Sequence, residues 1–132
     1  MKSFHLIIDT NTHDFTLYLH EQIPNHFRRI GLKSIIIRQE LTKIEKNIYV
    51  HCDILNKDDN LYNGEQSDIL AIVAQNRYLN KKCVIAAFDN CSYKNIKSPD
   101  VTAIRMSLTH QNNLPFETSG RLAVTCELEF IE

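Results

Sequence analysis

Several features that would announce a chemistry are scarce in this chain. Only 3 of its 132 residues are glycine, and none brackets a serine as GxSxG; Ser119-Gly120 lacks the preceding glycine. That excludes a nucleophile elbow with its Ser, His and Asp. Neither charge dominates: 15 Lys plus Arg face 16 Asp plus Glu, for a formal net charge of -1. No broad field therefore draws in phosphate backbones or anionic lipid, and nucleic-acid binding is not indicated. The same near-zero charge leaves little long-range repulsion between copies, a condition compatible with dense self-association.

Long hydrophobic runs are missing as well. Met1-Lys2-Ser3-Phe4-His5-Leu6-Ile7-Ile8-Asp9 offers too short an apolar stretch for a signal h-region or a spanning helix. Secretion by that route and a membrane span are not expected. The four cysteines, Cys52, Cys83, Cys91 and Cys126, lack the CxxC spacing of a zinc or redox site and sit in strand-like patterns. Reduced, mostly buried thiols are expected, with a Cys83–Cys91 bridge as the alternative if their Cα atoms lie within about 7 Å.

What the chain does have is alternation. Ile48-Tyr49-Val50-His51-Cys52-Asp53-Ile54 and Leu122-Ala123-Val124-Thr125-Cys126-Glu127-Leu128-Glu129-Phe130 alternate apolar with polar residues, as pleated strands with one dry and one wet face do. The length fits one domain, residues 1–132, which buries roughly two-thirds of its extended surface. Strands are expected at Phe4–Asp9, from Phe15 through Leu19 until Pro24 ends the segment, and from Gly31 through the β-branched Ile35-Ile36-Ile37 to Arg38. Others follow at Ile48–Leu55, Ile69–Ala74, Lys82–Phe88, Val101–Thr109 and Gly120–Ile131. About eight antiparallel strands result, which periodicity alone leaves open among a jelly roll, a Greek-key sandwich and a closed barrel.

No constellation of catalytic, cofactor-binding or metal-binding residues emerges. Adjacent residues of a strand point to opposite faces, so His51 and Cys52 form no dyad; His51 is assigned to the solvent row and Cys52 to the core. Asp9, His13 and Asp14, and likewise Asp53, Asp58 and Asp59, match no EF-hand spacing and read as solvated turns. Glu127 and Glu129 share a face of the last strand, where exposure at a terminal strand makes them solubilising. The five tyrosines lack the interleaved basic residues of a base-stacking platform, and the six histidines are too scattered for a cupin-like metal site.

Two groups of segments carry a resemblance. Ile48-Tyr49-Val50-His51-Cys52-Asp53-Ile54-Leu55 followed by Asp68-Ile69-Leu70-Ala71-Ile72-Val73 resembles a "YV-x-CDI … LL-x-IV" stretch. Met106-Ser107-Leu108-Thr109, Leu114-Pro115-Phe116-Glu117 and Gly120 through Phe130 are similar to a closing "PFE-x-G-x-x-x-VTL-x-F" signature. Both belong to the minor capsid, or penton, proteins of Polinton-type elements and virophages. The resemblance implies an all-β, eight-stranded antiparallel jelly-roll sandwich in a virion, assembled inside the host cell, without catalysis or cofactor. It also implies a homo-oligomer, pentamer or trimer, that meets other capsid proteins. The loops Asn56–Ser67 and Asn90–Pro99 are then expected at sandwich ends, contributing subunit contacts. A non-catalytic receptor- or glycan-binding jelly-roll module, trimeric in one form, is the alternative, since one fold serves many functions.

Overall fold

The computed structural model describes residues 3–39, 47–74, 78–80, 83–98, 100–110, 114–115 and 121–132, with the backbone alone for 78–80 and 114–115. The β-branched triplet Ile35-Ile36-Ile37 lies inside a ten-residue strand, β3 (Arg29–Arg38), hydrogen-bonded along both edges. On one side runs β13 (Ala123–Ile131), itself paired with β1 (Ser3–Thr10); on the other runs β9 (Cys83–Ala87), followed by β8 (Tyr78–Asn80). The two-residue β10 (Lys94–Asn95) pairs with the start of β3. The second sheet is built on β11 (Ala103–His110), flanked by β2 (Asp14–Tyr18) and β12 (Leu114–Pro115) on one edge. Its other edge holds β4 (Ile48–Cys52), then β7 (Ile69–Val73). A short hairpin of β5 (Leu61–Tyr62) and β6 (Glu65–Gln66) completes the set.

Eight of these strands have five residues or more, the number expected from the sequence. Taken in chain order, the first, eighth, third and sixth form one sheet, and the second, seventh, fourth and fifth the other, every pairing antiparallel. That weave is the jelly roll, which the open alternatives of periodicity did not separate. Among these eight strands, only the connection from β4 to β7, residues 53–68, begins and ends in the same sheet. Between the sheets, inward rows interdigitate: Val50, Cys52 and Leu128 are 0% exposed, Val124 2% and Ile54 4%, so the alternation seen in the sequence does mark the core.

Several strand limits shift for identifiable reasons. β2 stops at Tyr18, well before Pro24, because the chain turns inward to bury Ile23 and Phe27. The Leu19 and Ile23 amides donate to the Thr102 and Val101 carbonyls, and the Phe27 amide closes a turn on the Pro24 carbonyl. β3 begins at Arg29, two residues before Gly31. Gly31 is needed for a different reason than opening a strand: a Cβ there would collide with Cys91 Sγ and lie 3.0 Å from the Tyr93 ring. All four cysteines are free. Cys83 pairs with Arg38 while Cys91 lies against Leu32, six residues along β3, or about 20 Å at 3.3 Å per residue, too far for a bridge.

Two assignments from the sequence are overturned. β4 is buried on both faces, so His51, placed by parity in a solvent row, is 9% exposed. The cause is tertiary: the connection 53–68 folds back over the outer face of its own sheet. Glu129 is 8% exposed, not solubilising, because the last strand in the chain is not the last in the sheet; β13 is paired on both edges, by β1 and β3.

Candidate functional site

Both loops singled out in the sequence lie at the same end of the sandwich, laced to each other. The Asn56 amide donates to the Asn95 carbonyl (2.8 Å), the Lys97 amide to the Ile54 carbonyl (2.9 Å), and Leu55 bridges Ile96. Asn95 Nδ2 donates to Asp59 Oδ2 (2.9 Å), and the Ile96 amide to the Arg28 carbonyl (2.9 Å), which brings in the connector 19–28. Pro99, at the far limit of the second loop, is outside the described residues.

Within the first loop, short-range polar chemistry sets the shape. Asn56 Oδ1 accepts from the Asp58 amide and so caps a single 3-10 turn, Lys57–Asp59. Buried Asn60 donates through Nδ2 to the carbonyls of Ser67 (2.9 Å) and Ile69 (3.1 Å), stapling the base of the β5–β6 hairpin. Asn63 (φ 52°) and Gly64 (φ 81°) turn that hairpin, the left-handed pair that such a tight reversal requires. The acidic residues, read from the sequence as solvated turns, each have a separate donor. Asp58 accepts from Gln66, Asp59 from Asn95, and Asp53 from the Arg105 amide. Asp14 accepts from Nε and Nη2 of Arg105 (3.0 and 2.8 Å), which holds its carboxyl below the ordinary range, while Asp9, in the first sheet, accepts from Thr125. Among the described residues no group of three His, Cys, Asp or Glu side chains has the arrangement of a metal site.

The hairpin is pinned onto the sheet by two contacts that sequence parity did not reveal. Tyr62 lies edge-on to Tyr49 with ring centroids 5.6 Å apart, and their hydroxyls share a 2.7 Å hydrogen bond that pushes the Tyr49 phenol up to about 12. His51 Nδ1 lies 2.7 Å from Asp68 Oδ1 and Nε2 2.8 Å from Thr109 Oγ1. The bond to the imidazole holds the Asp68 carboxyl below its ordinary range. Carboxylate, imidazole and hydroxyl in line are the atoms of a catalytic relay. Yet the adjoining cavity, about 170 Å³, is lined by His51 and Asp68 and not by Thr109, so the hydroxyl is a structural partner of the ring. Cys52 points the other way, into the core, where burial pushes its thiol up to about 12, and no His–Cys dyad forms.

A third cluster ties residues 91–93 to the first sheet. His5 sits between the two carboxylates of β13, with Nδ1 3.2 Å from Glu127 and Nε2 3.0 Å from Glu129. The Tyr93 hydroxyl donates to Glu129 Oε1, which holds the phenol well above its usual range. Cys91 Sγ donates to the Leu32 carbonyl (3.2 Å) in the space that Gly31 leaves. Each long connection at this end is thus anchored to a sheet by a polar contact, and the end presents one fixed surface.

No protein-family model matches the sequence, and no curated protein is similar to it. Among solved structures, the crystal structure of the mavirus penton protein superposes with a TM-score of 0.65, at 6% identity, over 98% of this chain and 99% of that one. The capsid of Helicobacter pylori bacteriophage KHP30 (TM-score 0.38, 12% identity, 98% and 87% covered) and Turnip Yellow Mosaic Virus (0.33, 12%, 98% and 92%) superpose too loosely to add to this. The chain therefore shares, over nearly its whole length, the jelly-roll fold of the mavirus penton protein.

Proposed function

We propose that this protein is a structural capsid component, a penton-like minor capsid jelly roll that works by self-assembly in a virion. The observation that carries this reading is the near end-to-end match in fold to a penton protein, in a chain whose ordered segments also resemble penton motifs. The physics of the site agrees. Shell subunits need rigid walls and fixed contact surfaces, and here the loops at one end are locked to each other and to the sheets. Loops held by a rigid scaffold are where such contacts are made. Among the described residues the exposed large apolar groups are Ile7, Tyr18 and Ile85, each on its own, and Leu61 with Ile72 beside the hairpin, a surface suited to contacts among several copies.

The protein so read is a homo-oligomer, a pentamer or trimer, meeting other capsid proteins and acting without catalysis or cofactor. Light scattering coupled to size exclusion tests it. A solution mass five-fold or three-fold that of the protomer is expected; a strict monomer at every concentration tested would remove the assembly reading. Shortening the β5–β6 hairpin should weaken association, and unchanged oligomer mass would take that loop out of the interface.

A further inference from the structure

At the open side of the sandwich the sheets part. β7 is the edge of its sheet, and past Ala87 the chain leaves the β9 ladder and runs as residues 88–93 to the short β10. A cleft of about 300 Å³ remains between β7 and this segment; Ile72, Phe88 and the hairpin's Leu61 supply its apolar walls, and the core residues Leu32 and Leu70 beneath are 2% and 1% exposed. That volume is the lower end of the size range of small-molecule sites. Leu61 and Ile72, at 63% and 40% exposed, leave apolar surface in water at the mouth, where no protein group covers them among the described residues. The cleft is therefore amphipathic, with apolar surface from Leu61, Ile72 and Phe88 beside the polar Asn60, Ser67 and Asn90.

Its charge is one-sided. Among the described residues Lys94 is the only Lys, Arg, Asp or Glu lining it, and it makes no ion pair with any of them. Asn90 and Ser92 add neutral donors from the same segment. An ammonium beside a low-dielectric wall attracts an anion and disfavours a cation. A cleft of about 300 Å³ gives room for one short chain. We propose that this cleft binds a single acyl chain of about eight to ten carbons with an anionic head, the chain against Leu61, Ile72 and Phe88 and the head at Lys94. Bound there, the ligand would touch both the hairpin and the 88–94 segment and brace the two against each other.

Isothermal titration of the full chain with decanoate, below its micelle concentration, tests this. One saturable site per chain is expected, with decyltrimethylammonium binding at least fivefold more weakly. Lys94→Gln should lower decanoate affinity about fivefold, the scale of a partly exposed ion pair, and leave neutral decanol unchanged. Leu61→Asp, at an exposed position that does not hold the fold, should reverse the preference between decanoate and the cation. Circular dichroism checks that each variant is folded. The proposal is overturned if folded protein shows no saturable site, if anion and cation bind equally, or if Leu61→Asp leaves the preference unchanged. Flotation with phosphatidylglycerol vesicles separates the sources: capture by vesicles without binding of free decanoate would mean a membrane surface and overturn the single-chain site.

Discussion

Replacing Gly31 by alanine should destabilise the protein by about 1.5 kcal/mol, and removing one sulfur elsewhere should restore most of it. The added Cβ would meet Cys91 Sγ at a distance atoms do not share and would press on the Tyr93 ring, 3.0 Å away. Overpacking of this kind costs about 1–3 kcal/mol. Gly31 has no positive φ to forbid alanine, and the less flexible unfolded chain offsets about 0.4–1 kcal/mol of the cost. If the strain instead displaces Tyr93, buried Glu129 loses a hydroxyl donor, a loss of about 1.5–3 kcal/mol for a bond to a charged group. Either route gives a net effect of about 1.5 kcal/mol. Cys91→Ala removes the obstructing sulfur and, besides its packing, only a weak bond to the Leu32 carbonyl. In a double-mutant cycle by urea unfolding at pH 7, Gly31→Ala should thus cost about 1–2 kcal/mol less in the Cys91→Ala background than in the wild type. Additivity within about 0.5 kcal/mol would mean that the two residues do not press on each other, and the close approach of residues 91–93 to β3 would be refuted.

Asp68→Asn should lower stability by about 1 kcal/mol at pH 7, a charge-assisted bond discounted because 35% of the side chain faces solvent. Since folding lowers the Asp68 pKa, that difference should be full above the unfolded value of 3.8 and fade as pH falls through the folded one; urea midpoints at pH 7 and pH 2 read it, and a gap persisting at pH 2 would contradict the His51 bond. Leu128→Ala, at a fully buried site between the sheets, should cost about 2–5 kcal/mol in the same assay. Cys52 and Cys126, whose thiols burial pushes up to about 12, should resist a thiol reagent at pH 8 until urea unfolds the chain, and rapid labelling of either in native protein would contradict its place in the core.

The sandwich was legible because alternation is local: Val50, Cys52, Val124, Cys126 and Leu128 announce an inner row through their own spacing. The wet face was not, because what covers it comes from far along the chain. His51 reads as solvent-facing until Asp68, 17 residues on, and Thr109, 58 residues on, close over it. Glu129 reads as a terminal-strand carboxylate until the weave places β1 and β3 on its two sides. The turn residues of 56–67 correctly marked a loop, yet nothing local indicates that Tyr62 reaches Tyr49 or that Asn95 meets Asp59. The cleft has no sequence signal at all, since it lies between an edge strand and a segment brought there by the fold.

The pairing of Ser3 with Ile131 has a temporal consequence. Between β1 and β3, neighbours in the finished sheet only through β13, there is a gap until the final nine-residue strand has left the ribosome. Pairings of such sequence separation are slow to form and expose unpaired edges meanwhile. A nascent chain stalled before Ala123 would therefore hold a split sheet, with the facing edges of β1 and β3 both left without their partner strand.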